Sequence, residues 1–205
     1  MRSVDTQTLT MTEAAVASRV PLKQVHRIID AGLLPGAVET RHGTRLIGVS
    51  GLLALKLAYV TAGALKPEVR RRAVLRVLEA PDSSEVRERV VVLELEGIGA
   101  ELNEGLAELA AAREMVSIDP EVLDGTSCFA GTRIPVHDVA DMLANGDTPA
   151  ALLQAYPAID ERRIRLASVY AAAYPRRGRP KHGPTWRRSP RAVRKVHSNE
   201  LPTPV

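Results

Sequence analysis

Apolar residues between Thr12 and Pro35 fall into two groups, separated by the break Ser18-Arg19-Val20. Ala14, Ala15 and Val16 suit a short first helix, with Thr12 as its expected N-cap. Pro21 fits the first position of a second helix, where its missing N–H costs nothing. Leu22, Val25, Ile28 and Ile29 then recur with helical spacing until Gly32 stops the run. Apolar and polar residues alternate either side of His42-Gly43, which predicts a small hairpin. Ser50 is placed to cap a third helix that runs toward Gly63. Two helices, a hairpin and a further helix predict a winged helix-turn-helix over residues 1–63.

Residues 64–115 read as helix, strand and helix, a connecting or dimerisation region. A single strand over 89–97, rich in valine, cannot satisfy its own backbone and has to pair. The hairpin of the first unit and the same strand of a second subunit are the two candidates, and the second subunit is preferred. Residues 116–175 begin with two short extended segments around a glycine-rich loop, with Gly125 and Gly131 suited to positive φ. Pro135 belongs at a strand end. A helix carrying Val136, Val139, Ala140 and Leu143 follows, then one capped by Thr148 and one capped by Asp160. This predicts a compact three-helix domain. The fold class is therefore mainly α with small β elements.

Composition sharpens the picture. Aromatic residues make up only 3% of a chain that is 45% hydrophobic, so Ala, Leu and Val must fill small helical cores. No apolar run approaches the ~20 residues that span a bilayer, and the first ten residues do not read as a signal peptide. A cytoplasmic protein without a membrane partner is expected. The single cysteine excludes an intrachain disulfide and any multi-cysteine zinc site; no metal and no cofactor is expected. The net charge of +4 conceals an asymmetry, because residues 176–205 carry +8 and the remainder −4. A basic arm on an acidic body suits a polyanionic partner.

Cys128 invites a catalytic reading, since His137 and Asp138 are close in sequence. A thiol flanked by Phe129 fits a small buried hydrophobe better, and no oxyanion-stabilising pattern accompanies it. No catalytic residue is expected, and the chain is not read as an enzyme. On the second helix Lys23, Gln24, His26 and Arg27 lie off the apolar stripe. Gln pairs with adenine, Arg with guanine and Lys with phosphate when such a helix enters the major groove. A solvated helix face is the bland alternative. Arg41, His42 and Arg45 cluster at the glycine turn of the hairpin, placed for a phosphate backbone.

The stretches TEAAVASRVPLKQVHRIIDAGLL and RHGTRLIGVSGLLAL resemble the DNA-binding head of the MerR family. Residues 116–173, with GTRIPV as their most specific motif, resemble a small domain found in VapB-type antitoxins. Thr126-Ser127, Ala130 and Ala155 depart from the usual residues of that domain. The resemblance implies an antitoxin that masks a PIN-like ribonuclease toxin and represses its own operon by binding operator DNA. A homodimer, or a hetero-tetramer with the toxin, is the expected assembly. A MerR-like regulator whose C-terminal domain senses a ligand or fixes a dimer is the alternative.

The tail from 176 to 205 is rich in Pro, Gly and Arg, with too few apolar residues for a core of its own. Arg177-Gly178-Arg179-Pro180 is similar to an AT-hook core, which sets Arg177 and Arg179 against a narrow minor groove. The same residues, with Arg176, Arg187 and Arg188, are alternatively suited to neutralise the acidic metal site of a toxin, with Trp186 as an interface anchor and Arg133 set against either a carboxylate of its own domain or the partner's surface. A solubilising tail is the third reading.

Overall fold

The computed structural model describes residues 8–88 and 91–176. The architecture is mainly α with small β elements: eight α-helices and three small antiparallel sheets among the described residues. The described residues up to Pro175 pack as one unit.

The chain enters through strand β1 (Thr8–Thr10), helix α1 (Met11–Ser18) and helix α2 (Leu22–Asp30). Thr10, rather than the expected Thr12, caps α1. Its hydroxyl accepts from the Glu13 N–H, and the Glu13 carboxylate accepts from the Thr10 N–H, so two otherwise orphaned donors are satisfied reciprocally. Arg19, left-handed at φ 52°, ends α1, and Pro21 stands one position before α2. Strands β2 (Val38–Arg41) and β3 (Thr44–Gly48) turn at His42-Gly43, both at positive φ as a type I′ turn requires. Part of the polar leader is ordered as β1, which pairs with β3 and gives the order β1-β3-β2. Ser50 precedes helix α3 (Gly51–Val60) but makes no capping hydrogen bond.

Helix α4 (Pro67–Glu79) leads to the largest departure from expectation. The expected single strand is two strands, β4 (Glu85–Glu88) and β5 (Val91–Glu94), paired antiparallel with Val86 opposite Leu93. Within the chain the strand pairs with its own neighbour and not with the first hairpin. Its pattern was hidden because an inward position of β4 is filled by Glu88. That carboxylate is buried and held by Arg72 and Arg76 of α4, whose hydrogen bonds and charges keep it below the usual carboxylate range against the opposing effect of burial.

Helix α5 (Glu96–Glu114) is the spine. Leu102 and Leu109 join the core of the first two helices, whereas Ala112 joins the core of the C-terminal elements. The approach of α5 to α1 requires Gly105, because a Cβ there would lie 2.1 Å from the Ala17 carbonyl oxygen. Beyond it, β6 (Val116–Ser117) pairs with β7 (Cys128–Phe129), and helices α6 (Val136–Ala144), α7 (Pro149–Ala155) and α8 (Glu161–Ala173) close around Phe129, Val139 and Ile164. Thr148 and Asp160 cap α7 and α8 as expected. Gly125 and Gly131 take positive φ. No helix among the described residues is long and apolar enough to cross a membrane.

Candidate nucleic-acid interface

Helix α2 is fixed from beneath by Val25 and Ile28, both buried. That anchoring orients the other faces. Lys23 and Arg27 are exposed, and Gln24 and His26 are half-buried. The four expected DNA-contacting residues do not form one continuous row. His26 faces a cavity shared with Thr12 of α1 and Gly43 and Arg45 of the hairpin. Gln24 and Arg27 face a second cavity, of about 240 Å³, between α2, α3 and α4. Lys23 is exposed and lines neither of these two hollows.

The hairpin arginines have partners of their own. Arg45 Nη1 lies 2.6 Å from Asp30 at the end of α2, and Arg41 Nη2 lies 2.8 Å from Glu39. Both pairs are solvent-exposed, so each is worth little and a phosphate can replace the carboxylate. The Arg45–Asp30 pair bridges β3 and the end of α2. His42 stands exposed at the turn.

In the C-terminal domain Arg133 is exposed, beside Gly131 in the turn that follows β7. Arg176 is exposed at the end of the described segment. Arg177, Arg179, Trp186, Arg187 and Arg188 lie outside the described residues. The loop before them in the chain, 118–125, shows Ile118 and Leu123 to solvent at 64% and 49% exposure. Leu123 and Asp124 are both held at positive φ, an unusual arrangement for side-chain-bearing residues.

Cys128 is buried, 1% exposed, on β7. Burial, with a smaller contribution from the charge of Asp138, pushes its thiol up, so the reactive thiolate is disfavoured. His137 is engaged elsewhere: its Nε2 lies 2.7 Å from the Tyr174 carbonyl oxygen, and its ring meets Tyr170 edge-on. The GTRIPV segment is a hydrogen-bonded turn. The Thr132 hydroxyl donates to the Phe129 carbonyl and accepts from the Ile134 N–H.

One polar cluster has no counterpart in the sequence-based expectations. Glu13 of α1 is buried, and its carboxylate accepts from the Tyr174 hydroxyl at 2.5 Å and from Arg113 Nη2 at 2.7 Å. Arg113 Nε also donates to the Tyr174 hydroxyl. Burial pulls the Glu13 carboxyl up, but the hydrogen bonds from Tyr174, Thr10 and Arg113 together hold it below its usual range. Burial and the neighbouring carboxylate push Tyr174 up to about 12, against the opposing effect of Arg113. The capping-box spacing around Glu13 is visible in the chain; its partners are not.

Residues 116–171 match the family described as "Protein of unknown function (DUF433)". A protein of Sinorhizobium fredii, "Uncharacterized protein y4eO", is 36% identical over 184 residues, covering 83% of each chain. A crystal structure of Rv2018 from Mycobacterium tuberculosis aligns over 78% of this chain and 95% of that one, at 18% identity and a TM-score of 0.33, below the level from which a shared fold follows.

Proposed function

Within the family of the Sinorhizobium fredii protein y4eO, to which the chain belongs, we propose that this protein is a DNA-binding antitoxin. In this reading the MerR-like head, residues 1–63, represses its own operon by docking α2 into the major groove of operator DNA. The domain at 116–175 and the basic tail bind and neutralise a PIN-like ribonuclease toxin. Residues 64–115 connect the two, and the protein acts as a homodimer or as a hetero-tetramer with the toxin. No catalytic residue, metal or cofactor takes part.

The observation that carries the reading is the presentation of α2. Val25 and Ile28 clamp the helix to the core while Lys23, Gln24 and Arg27, donors of phosphate and base contacts, form no ion pair among the described residues. The exposed Arg41, His42 and Arg45 extend that surface along the hairpin. For the toxin half, support comes from the similarity of the 116–173 stretch to the domain of VapB-type antitoxins, from exposed Arg133, and from the +8 charge of residues 176–205. The Glu13–Tyr174–Arg113 cluster supports communication between the halves, since it ties the capping residue pair of α1 to the end of α8.

A second reading is a MerR-like regulator that answers to a small ligand. The cavities that flank α2 favour it. One experiment separates the two: co-expression with the neighbouring gene product, affinity capture of this chain, and anisotropy on DNA from upstream of its own gene. The antitoxin reading requires co-purification of a small acidic-site nuclease and salt-sensitive promoter binding. Promoter binding without any captured nuclease would leave the regulator.

A further inference from the structure

We propose that the cleft between α2, α3 and α4 is an oxyanion-binding site, with Arg27 and Arg70 as its paired cationic ligands. Arg70 of α4 and Arg27 of α2 line the same cavity of about 240 Å³. Gln24 and Tyr59 supply an amide and a phenol hydroxyl to its wall, and Leu33 and Ala58 an apolar floor. No Asp or Glu lines it. The Arg70 Nε–H is shielded from solvent and has no hydrogen-bond partner among the described residues.

Arg19, Arg41, Arg45, Arg72, Arg76, Arg87, Arg113 and Arg165 each meet a carboxylate within 4.0 Å. Arg27 and Arg70 meet none among the described residues, although both face one hollow. A guanidinium has five donors and no acceptor, so two of them around one cavity leave a surplus of donors and of positive charge. A shielded donor without an acceptor is costly until something accepts from it. The complement is a phosphate or carboxylate group, held in the bidentate fashion that guanidinium geometry favours.

Such a group has two sources. It is either a backbone phosphate of DNA docked on α2, which rests on the DNA-binding reading of the head, or the acidic group of a free small molecule. In the second case its binding would occupy Gln24 and Arg27, the residues proposed to read bases. The apolar floor gives the organic part of such a molecule a place to lie.

The test uses the full chain and inorganic phosphate, titrated at constant ionic strength with chloride as the balancing anion. Arginine Nε–Hε resonances and the melting temperature are followed together. Saturable displacement of the Arg70 resonance with a rise in melting temperature is expected. Arg70→Gln should weaken phosphate binding at least tenfold. Arg71→Gln, which removes the same charge from an exposed neighbour, should not. Ala62→Leu, which narrows the cleft and keeps both guanidinium groups, should weaken it as well. Because the group removed in Arg70→Gln has no partner among the described residues, that variant should melt no lower than the parent in phosphate-free buffer.

Anisotropy on upstream DNA separates the sources. A salt slope reduced by ~0.9 in Arg70→Gln identifies a DNA phosphate. An unchanged slope, with phosphate competing against DNA only in the parent chain, identifies a free anion. Phosphate binding by a parent chain that binds no DNA would retire the repressor reading and leave the site standing. No saturable effect of phosphate, or an equal effect in Arg70→Gln, overturns the proposal.

Discussion

Tyr174 donates its hydroxyl hydrogen to the Glu13 carboxylate at 2.5 Å, joining residues 161 positions apart. Arg113 completes the cluster from α5, so helices from the start, middle and end of the described chain meet at one buried acid. Tyr174 lies beyond the residues that match DUF433, which end at 171. The attachment of the domain to the head therefore depends on a residue outside the domain match.

Tyr174→Phe removes a hydrogen bond to a charged acceptor and should cost roughly 1.5–3 kcal/mol in denaturant unfolding. Glu13→Ala leaves Arg113 half-buried beside an empty acceptor position and should cost at least as much, about 3 kcal/mol. Removing both in a double-mutant cycle should cost clearly less than the sum, because the two act through one hydrogen bond. Additive losses would show that the cluster is not a unit.

The same cluster predicts a pH dependence. The Glu13 carboxyl is held below its unfolded value of 4.5, so its stabilisation is present above that pH and is lost as pH falls through the lower folded value. Tyr174 is shifted the other way, from 10.0 to about 12. Its contribution is complete below pH 10 and is lost as pH rises toward 12. Melting temperature against pH should therefore fall at both ends. Glu13→Gln should flatten the acid limb and Tyr174→Phe the alkaline one. A Tyr174→Phe profile that still falls between pH 10 and 12 as steeply as the parent's would remove Tyr174 as the cause.

Gly105 and Gly99 both lie in α5 but predict opposite outcomes. Gly105→Ala drives a methyl into the Ala17 carbonyl and should cost about 1–3 kcal/mol through displacement of α1 from α5. Gly99→Ala points into open space and should stabilise by up to ~1 kcal/mol through helix propensity. Thermal melts of the two variants against the parent decide it. Promoter affinity should drop only in the first, since α1 supports α2.

Cys128 should behave as a core residue. Its thiol should resist an aromatic disulfide reagent in the native state and react fully in denaturant. Cys128→Ala should cost at most ~1–2 kcal/mol. Loss of any activity on that substitution, with folding intact, would contradict the binding-protein reading.

For DNA binding, Gln24→Ala with Arg27→Ala should relax sequence preference between related operators, whereas Lys23→Ala should weaken all of them alike. Deleting residues 176–205 should lower affinity and reduce the salt slope by ~0.9 for each DNA phosphate that the tail neutralises. A truncated chain whose salt slope matches the parent's would exclude the tail from the DNA.

The sequence alone determined what depends on near neighbours. Helical spacing placed α1, α2, α6 and α8; His42-Gly43 specified the turn between β2 and β3; Thr148 and Asp160 marked two helix starts. These choices are set by backbone sterics and by partners within about four residues. Tertiary packing decided the rest. It buried Glu88 under two arginines, which makes a strand of EVRE despite its one apolar residue, and it paired that strand with β5. It also brought Glu13 to Tyr174 and placed Arg70, out of a run of three arginines, on the same cavity as Arg27. A charge in a sequence names no partner. Its neutralisation or lack of it follows from which surfaces are brought together over long separations, and α5 packing against both α1 and α8 fixes that here.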